Sequence, residues 1–289
     1  MAGLDVVVKQ LEEQRKKLMY IYGVVGLIYI IGIAILFKSL FGFLIVFVAR
    51  GVSSFASKKA YQYRANAKQS IAMEMMRQNY DSVSLDAYQG FSESYIQGTE
   101  MIKLGNIFKS NDLFSGFYKG MHFRQAELLV QQYKKSGNKR ATTTLFKGHY
   151  RVFEFNKNFA SYMQIRVKEG FLFNKNTKPY RFFTQREKTT HLELENKEFN
   201  DIFDVHASDA HEAFYILTPH FMEKVMELNT AMNSGIVIGF IDNKMHIASP
   251  LSQEVYQVSI WRPISEKYLK SVEREAGIVR QIVDTLNLE

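Results

Sequence analysis

The sequence predicts an α+β protein: an N-terminal transmembrane helical hairpin followed by a mainly antiparallel β-sheet domain with packed helices. Three observations lead to this prediction. Residues 18–37 form a run of twenty residues without a charge. After Tyr80 the apolar residues recur in short runs with a spacing near two, which is typical of strands. Residues 219–232 and 265–287 return to the spacing of amphipathic helices.

The first apolar run, residues 18–37, is long enough to cross a membrane. At about 1.5 Å per residue a helix of this length covers roughly 30 Å, the thickness of the hydrocarbon layer. Gly23, Gly26 and Gly32 are acceptable in a membrane span, where glycine permits close contact between helices. The run has no polar face, which argues against a helix of a soluble core, and it is too long for the apolar part of a signal peptide.

The second apolar run, residues 40–49, covers only about 15 Å and reaches about 25 Å when it is extended to residue 56. The extension places Arg50 inside the span, at a cost of about 2.5–3.5 kcal/mol. Basic residues flank the two runs on both sides: Lys9, Arg15, Lys16 and Lys17 before them, and Arg50, Lys58, Lys59, Arg64 and Lys68 after them. By the positive-inside rule we predict two crossings joined near Lys38 and Ser39. One crossing followed by a segment that dips into the membrane is the alternative.

The net charge of +8 is concentrated beside these runs. Residues 1–70 contain ten Lys and Arg against three Asp and Glu, whereas residues 71–289 contain 27 against 26. Anionic lipid headgroups attract such flanking charge, so we do not expect a nucleic-acid partner. The chain contains no cysteine, which excludes disulfides and thiolate metal sites.

The predicted organisation has five parts. They are an amphipathic juxtamembrane helix (residues 1–17), the transmembrane hairpin (18–57), a connecting helix (58–79), the α+β cytoplasmic domain (80–262) and a C-terminal helix (263–289). Frequent alanine and the absence of proline favour one continuous helix over residues 53–79.

Within the domain, short apolar runs predict four strand segments. They are residues 99–108, 116–134, 143–159 and 161–167. Residues 134–144 (KKSGNKRATTT) form a polar connection that we expect to be a loop. Its four positive charges either contact lipid headgroups or mark a solvated hairpin tip.

Residues 166–188 combine seven basic residues with five aromatic residues. Three interpretations stay open: strands whose aromatic side chains face a core, a surface that enters a membrane interface, and a surface that stacks on nucleic-acid bases. The residues expected to contact lipid or a partner are Arg166, Lys168, Lys175, Lys178, Arg181, Phe182, Phe183, Arg186 and Lys188. An acidic stretch, residues 193–212, can pair with this segment instead.

Local signals place the remaining elements. Thr218 is a good cap for a helix over residues 219–232, which begins with proline. Asp242-Asn243 is a typical hairpin turn between two strands. Residues 255–260 are a further predicted strand, and Ser265 caps the last helix.

The histidines do not form a recognisable catalytic or metal motif. Four potential ligands lie close together in sequence: His206, Asp209, His211 and Glu212. Their spacing matches no metalloenzyme motif, and His220 with Glu223 fits a hydrogen bond as well as a metal. The chain has no P-loop, dinucleotide fingerprint or nucleophile elbow. We therefore assign no catalytic, cofactor or metal residue. The absence of these motifs favours a binding protein and leaves an enzyme as a third alternative.

Four segments occur in a fixed order behind the apolar runs. They are residues 98–127 (ending GFYKGMHFRQAE), 145–159 (LFKGHYRVFEFNKNF), 195–228 (containing EAFYILTPHFME) and 238–248 (IGFIDNKMHIA). Over residues 10–250 the chain resembles the bacterial membrane-protein family catalogued as domain of unknown function 3137. The resemblance implies a membrane protein with a cytoplasmic domain and without an established activity. It places the helix from Ser265 outside the shared region.

We therefore expect a protein of the inner membrane with two spans and both termini in the cytoplasm. Its domain is expected to be an interaction or scaffolding module, and the alternative is a protein that binds or modifies anionic lipids through residues 166–188. The expected partners are membrane lipids and other membrane or cytoplasmic proteins, including a second copy of this chain. No cofactor is expected.

Overall fold

The computed structural model describes residues 2–37, 39–137, 139–154, 160–168, 184, 186–232, 235–250 and 258–286. The chain divides into two compact units: a helical unit, Met1–Gln78 with Val255–Ala276, and a sheet unit, Asn79–Glu254 with Gly277–Glu289. The helices in the described residues are α1 (Ala2–Leu36), α2 (Phe41–Arg77), α3 (Glu93–Thr99), α4 (Lys197–Ile202), α5 (Ala210–Ile216), α6 (Pro219–Met232) and α7 (Glu266–Leu286). The strands are β1 (Ser82–Asp86), β2 (Ile107–Tyr118), β3 (Met121–Ser136), β4 (Lys139–Glu154), β5 (Met163–Val167), β6 (Thr190–Leu192), β7 (Phe203–Ala207), β8 (Val237–Ile241) and β9 (Lys244–Pro250).

Two long antiparallel helices form most of the helical unit. α1 continues without a break from the charged N-terminal residues through the first apolar run, and α2 does the same from the second apolar run to Arg77. No proline occurs before Pro179, so nothing in the sequence ends these helices early. Both helices are long and apolar enough to cross a membrane. The predicted helix over residues 53–79 is confirmed as far as Arg77, as part of a longer helix.

The strands form one sheet in the order β1-β2-β3-β4-β9-β8-β5-β7-β6. Every neighbouring pair in this order is antiparallel. The predicted α+β class with a mainly antiparallel sheet is therefore confirmed. A turn of two residues, Asp242 and Asn243, joins β8 to β9, and their positive φ angles of 50° and 59° are typical of a type I′ turn.

The predicted strand over residues 99–108 is wrong for most of its length. The Ser92 hydroxyl accepts a hydrogen bond from the N–H of Tyr95 at 3.2 Å and starts α3, which continues to Thr99. Glu100 then adopts a left-handed conformation and ends the helix. Only Ile107 and Phe108 of the predicted segment belong to a strand, β2.

The loop predicted over residues 134–144 is wrong in its extent, whereas its interpretation as a hairpin tip is confirmed. β3 and β4 continue through it, with Lys134 opposite Ala141 and Ser136 opposite Lys139. The backbone ladder supplies the hydrogen bonds, so the polar side chains can remain exposed without ending the strands. The polar residues of this segment therefore belong to strands that project into solvent and not to an irregular connection.

Some of the remaining predictions concern residues that the structure describes, and others concern residues that it does not. β5 confirms the strand predicted over residues 161–167, and Thr218 caps α6 by accepting the N–H of Phe221 at 3.2 Å. Ser265 likewise accepts the N–H of Tyr268 at 3.2 Å and starts α7. Residues 258–260 are not in a strand, and residues 155–159 and 251–257 lie outside the described part of the chain.

Helices cover both faces of the sheet. On one face α3 packs on a core that includes Leu128, Tyr150 and Val152. Met101, two residues beyond the end of α3, packs on the same core. On the other face the ring of Phe221 on α6 lies 6.0 Å from that of Phe240 on β8. Alternate residues of each strand are therefore buried on opposite faces, which explains why the central strands carry almost continuous apolar sequence.

A buried polar network joins the three central strands. Arg151 on β4 is fully buried, and its guanidinium donates to Gln125 on β3 and to Ser249 on β9, both at 2.6 Å. Nδ1 of His149 lies 3.3 Å from the same guanidinium. A buried charge requires such partners, because an uncompensated one costs several kcal/mol.

We expect the Gln125→Leu variant to lose about 1–3 kcal/mol of unfolding free energy, because it removes the acceptor of the Arg151 Nε–H group. Near-UV circular dichroism of the full chain in detergent should show a thermal midpoint several degrees lower. The matched Gln281→Leu change, at an exposed position of α7, should leave the midpoint nearly unchanged. Equal midpoints for the two variants would contradict a structural role for this network.

Candidate functional site

The α1–α2 hairpin carries a broad apolar surface that faces outward. Its exposed apolar side chains are Tyr20, Val24, Leu27, Ile30, Ile31, Ile33, Phe37, Leu40, Phe41, Phe43, Leu44, Phe47, Val48 and Phe55. Phe37, Leu40 and Phe41, at the turn of the hairpin, are 87%, 81% and 77% exposed. Each such side chain left in water costs about 1.5–3 kcal/mol. A surface of this extent therefore requires an apolar environment.

Glycine allows the two helices to approach closely near the turn. A Cβ atom at Gly42 would lie 2.4 Å from the backbone nitrogen of Leu36, and one at Gly32 would lie 3.0 Å from Cγ2 of Val46. At Gly23 and Gly26 a Cβ atom would meet no described atom within 4 Å. Gly32 therefore has the predicted close contact, whereas Gly23 and Gly26 take no part in it.

A polar layer occupies the other end of the hairpin. Arg15 pairs with Glu12 at 2.8 Å, and the second oxygen of Glu12 accepts the N–H of Ile264 at 2.8 Å. Beside this pair the ring of Trp261 lies 5.2 Å from the ring of Tyr22. Tryptophan and tyrosine are typical of the boundary between a membrane and water. This layer is therefore where the apolar surface gives way to charged side chains.

A second candidate site, the polar cluster, lies in the sheet unit where β5, β7 and β6 adjoin. Arg166 on β5 lies 3.3 Å from Nε2 of His206 on β7, and the ring of His191 on β6 meets that of His206 edge-on at 5.2 Å. Asp204 lies 3.6 Å from His191 and 3.8 Å from Lys168. The antiparallel register brings these residues together, because opposed residues share one face of a sheet.

The surroundings of His206 in the polar cluster favour its neutral form. Burial lowers the pKa of His206, and the charges of Arg166 and His191 lower it further. Because a guanidinium can only donate, Nε2 of His206 accepts and Nδ1 carries the proton. That Nδ1 is buried and has no hydrogen-bond partner among the residues that the structure describes. Within the same residues, no three His, Asp or Glu side chains are placed to hold a metal ion.

An open cleft of 480 Å³ lies beside the segment that leads to β6. Its lining residues are Gln97, Glu100, Ile102, Lys103, Leu104, Thr184, Arg186 and Glu187. Arg186 lies 3.5 Å from Glu100, and its guanidinium lies 5.1 Å from the ring centre of Tyr162. The volume is within the range of small-molecule sites. Two acids and two bases line the cleft, so its charge does not favour one class of ligand.

The structure describes four of the nine residues expected to contact lipid or a partner. Arg166 and Lys168 belong to the polar cluster, Arg186 lines the cleft, and Lys188 is exposed. The other five lie outside the described residues: Lys175, Lys178, Arg181, Phe182 and Phe183. The contact therefore stays a prediction. Pairing between the basic segment and the acidic stretch is observed for Lys168 and Asp204.

Residues considered as metal ligands have structural roles instead. Asp209 caps α5, where its carboxylate accepts the N–H groups of His211 and Glu212 at 2.8 and 3.1 Å. Glu212 accepts the N–H groups of Ser161 and Ala160 at 2.8 and 2.9 Å. Hydrogen bonds from Ser161 and Ala160 hold the pKa of Glu212 below its ordinary value. Asp209 thus starts α5, and Glu212 joins α5 to the segment before β5.

The sequence interpretation missed two members of the polar cluster, His191 and Asp204. For Asp204 a signal existed, because the FDVHA sequence of β7 alternates and places Asp204 on the side of His206. For His191 there was none, since β6 contains only three residues and shows no period. Its position depends on pairing with β7, which lies about a dozen residues later in the chain.

Comparison with family models gives a match to the family described as "Protein of unknown function (DUF3137)" over residues 144–288. The match includes 145 of the 289 residues, and three of the four segments that carried the resemblance lie within it. The segment over residues 98–127 precedes it. The expectation that the helix from Ser265 lies outside the shared region is wrong, because the match includes α7.

Other comparisons add little. No curated protein matches the chain. Among solved structures, the crystal structure of the mycobacterial trehalose monomycolate transport factor A, TtfA, matches 75% of this chain and 95% of its own chain. The identity is 8% and the TM-score is 0.38, so this likeness supports no conclusion about fold or function.

We expect the Gly42→Leu variant to destabilise the hairpin by about 1–3 kcal/mol, because the new side chain would overlap the backbone of α1. Thermal unfolding of the full chain in detergent, followed by circular dichroism, measures the effect. Gly23→Leu is the matched control, since leucine favours a helix over glycine by up to about 1 kcal/mol and meets open space there. Equal destabilisation by both changes would exclude close packing at Gly42.

Acid is expected to destabilise the sheet unit through His246. Burial lowers the pKa of His246 to about 3, and its Nδ1 lies 3.0 Å from the hydroxyl oxygen of Tyr150. The unfolded chain binds a proton below a pH of about 6.5 whereas the folded chain does not, so stability falls as the pH falls. The contribution lost by about pH 4.5 is roughly 2–3 kcal/mol.

The His246→Gln variant should therefore show a shallower loss of unfolding free energy between about pH 6.5 and 4.5 than the natural chain. Chemical denaturation at a series of pH values measures this slope. His220→Gln, at an exposed position of α6, should leave the slope unchanged. A slope that is identical in the natural chain and in His246→Gln would show that His246 does not control acid sensitivity.

Proposed function

Because the chain belongs to the family described as Protein of unknown function (DUF3137), whose description names no activity, we propose its function from its own geometry. It is a membrane-anchored binding protein, in which the α1–α2 hairpin is the anchor and the sheet unit meets the partner. The observation that carries this proposal is the outward apolar surface of the hairpin, including its turn at Phe37, Leu40 and Phe41. Exposure of such a surface to water is unfavourable, whereas its transfer into hydrocarbon is favourable.

The hairpin is proposed to cross the membrane twice. Its two helices remain side by side over their length, as the 3.4 Å contact between the Tyr22 and Ser57 hydroxyls and the contact of Gly42 with Leu36 indicate. The eighteen residues from Leu40 to Ser57 cover about 27 Å, close to the roughly 30 Å of a hydrocarbon layer. Both chain ends then lie on one side, which the basic flanks assign to the cytoplasmic face of an inner membrane.

The sheet unit is proposed to bind a protein partner. Phe214 and Tyr215, adjacent on α5, are 49% and 76% exposed. Aromatic residues are enriched where proteins meet, since they supply a large contact area. The alternative, binding or modification of anionic lipid through residues 166–188, has less support, because Arg166 and Lys168 are engaged in the polar cluster.

Labelling of a single cysteine tests the two crossings, because the natural chain has no cysteine. In Ser39→Cys the thiol is at the hairpin turn, and in Ser94→Cys it is exposed on α3. We expect a membrane-impermeant maleimide to reach the two thiols from opposite faces of sealed membrane vesicles.

Two other outcomes contradict this topology. Labelling of both thiols from the same face would mean one crossing and a segment that dips into the membrane. A thiol at residue 39 that reacts from neither face until detergent is added would mean that the hairpin ends inside the bilayer. A chain that washes off the vesicles in alkaline carbonate would reject the anchor itself.

A further inference from the structure

The β3–β4 hairpin ends in a basic arm, residues 134–141. The side chain of Asn106 marks its base, because it accepts the N–H of Tyr133 at 2.7 Å and donates to the carbonyl of Tyr133 at 2.8 Å. β2 pairs with β3 only as far as Gln131, so beyond this point the described partner of β3 is β4 alone. The arm therefore extends about 10 Å past the edge of the sheet.

Positive charge is concentrated on this arm without a neighbouring acid. It contains four basic residues, Lys134, Lys135, Lys139 and Arg140, and no Asp or Glu occurs between Glu127 and Glu154. The side chains of Lys134, Lys135 and Arg140 are exposed, and none of them forms an ion pair with a residue that the structure describes.

Three other basic residues of the sheet unit have acidic neighbours. Lys168 lies 3.8 Å from Asp204, Arg186 lies 3.5 Å from Glu100, and Lys224 lies 2.8 Å from Glu227. The arm therefore differs from these positions in having its charge available for a partner. Lys135 and Arg140 are directly opposed, although like charges in that position repel each other and destabilise the pair. An anionic partner would remove this repulsion.

We propose that the basic arm binds the headgroups of anionic phospholipids at the surface of the membrane that holds the anchor. The inference rests on the proposed membrane anchoring, because the part of α2 beyond Ser57, about 30 Å of helix, connects the proposed anchor to the sheet unit at Asn79. A domain tethered to a membrane in this way meets its surface at a high effective concentration. Each cation near an anionic surface raises the occupancy of the bound state about fivefold.

The shape and composition of the arm favour lipid over nucleic acid as its partner. Its charges lie on both sides of a two-stranded ribbon, since Lys134 and Lys135 are neighbours on one strand and point to opposite faces. The exposed residues of the arm include no aromatic side chain on which bases can stack. A layer of headgroups surrounds such a tip on all sides, and so it can contact both rows of charge.

Fluorescence of a label at the arm tests the proposal on the full chain. Ser136→Cys supplies the only thiol, to which an environment-sensitive dye is attached, and the chain is placed in lipid nanodiscs. In discs with phosphatidylglycerol the quenching of the dye by neutral acrylamide should fall about threefold relative to discs of phosphatidylcholine alone. Salt at about 0.5 M should abolish the difference.

Two charge-reversal variants distinguish an effect of the arm from an effect of the net charge of the chain. Lys134→Glu/Lys135→Glu/Arg140→Glu should lose the protection in phosphatidylglycerol discs. Lys103→Glu/Lys109→Glu/Lys197→Glu makes the same change in net charge at exposed positions elsewhere in the sheet unit and should retain it. A third variant, Arg186→Glu/Lys188→Glu, tests the basic segment before β6 and should also retain it.

Several results would overturn the proposal. A dye that responds equally in both kinds of disc would exclude lipid contact by the arm, and loss of protection only in Arg186→Glu/Lys188→Glu would assign the contact to the other basic segment. Stronger protection by an added oligonucleotide than by phosphatidylglycerol would assign the arm to nucleic acid. Failure of the anchor is distinguishable, because such a chain would not elute with the nanodiscs at all.

Discussion

The pairing of β3 with β4 is the interaction on which the sheet unit depends. Fourteen opposed residue pairs join these strands, from Phe123 and Phe153 to Ser136 and Lys139. β2 and β1 attach through β3, whereas β9 and then β8, β5, β7 and β6 attach through β4. The position of the polar cluster is thus fixed by a series of strand pairings that begins at this hairpin. Arg151 strengthens the same region, since its guanidinium contacts both neighbouring strands.

Alternation along β4 from Tyr150 to Phe153 gives the sheet two dissimilar faces. Tyr150 and Val152 enter the core beneath α3, while Arg151 and Phe153 are buried on the opposite face. Because helices cover both faces, few positions on the central strands can carry an exposed charge. Charge is accordingly found where strands leave the sheet or reach its edge, as in the basic arm and the polar cluster.

Local signals in the sequence were sufficient for much of this fold. The two apolar helices, the cap at Thr218, the turn at Asp242 and the cap at Ser265 each depend on a few consecutive residues, and each is present. Errors arose where polarity and periodicity gave conflicting indications. Apolar residues near Met101 suggested a strand, although α3 ends just before them at Thr99 and β2 begins only at Ile107. Polar residues of the arm suggested a loop, although backbone pairing continues through most of them.

The polar cluster was beyond sequence reasoning for a different physical reason. His206 and Arg166 were noted separately, but they are forty residues apart, and only the register of β5 with β7 makes them neighbours. Register is set by the whole sheet and not by either segment. The same limit applies to Arg151, a charged residue within an apolar strand, whose partners Gln125 and Ser249 come from two other strands.

Arg50 determines the order in which the proposed anchor can enter a bilayer during biosynthesis. Only nine apolar residues of α2 precede it, and its transfer costs about 2.5–3.5 kcal/mol, so α2 partitions poorly by itself. α1 emerges first and contains nineteen consecutive uncharged residues, 18–36, which are sufficient for insertion. The short turn and the contact at Gly42 then allow α2 to insert together with α1. On the proposed topology the first helix is therefore also the insertion partner of the second, and we expect α2 synthesised without α1 to be an exposed apolar segment prone to aggregation.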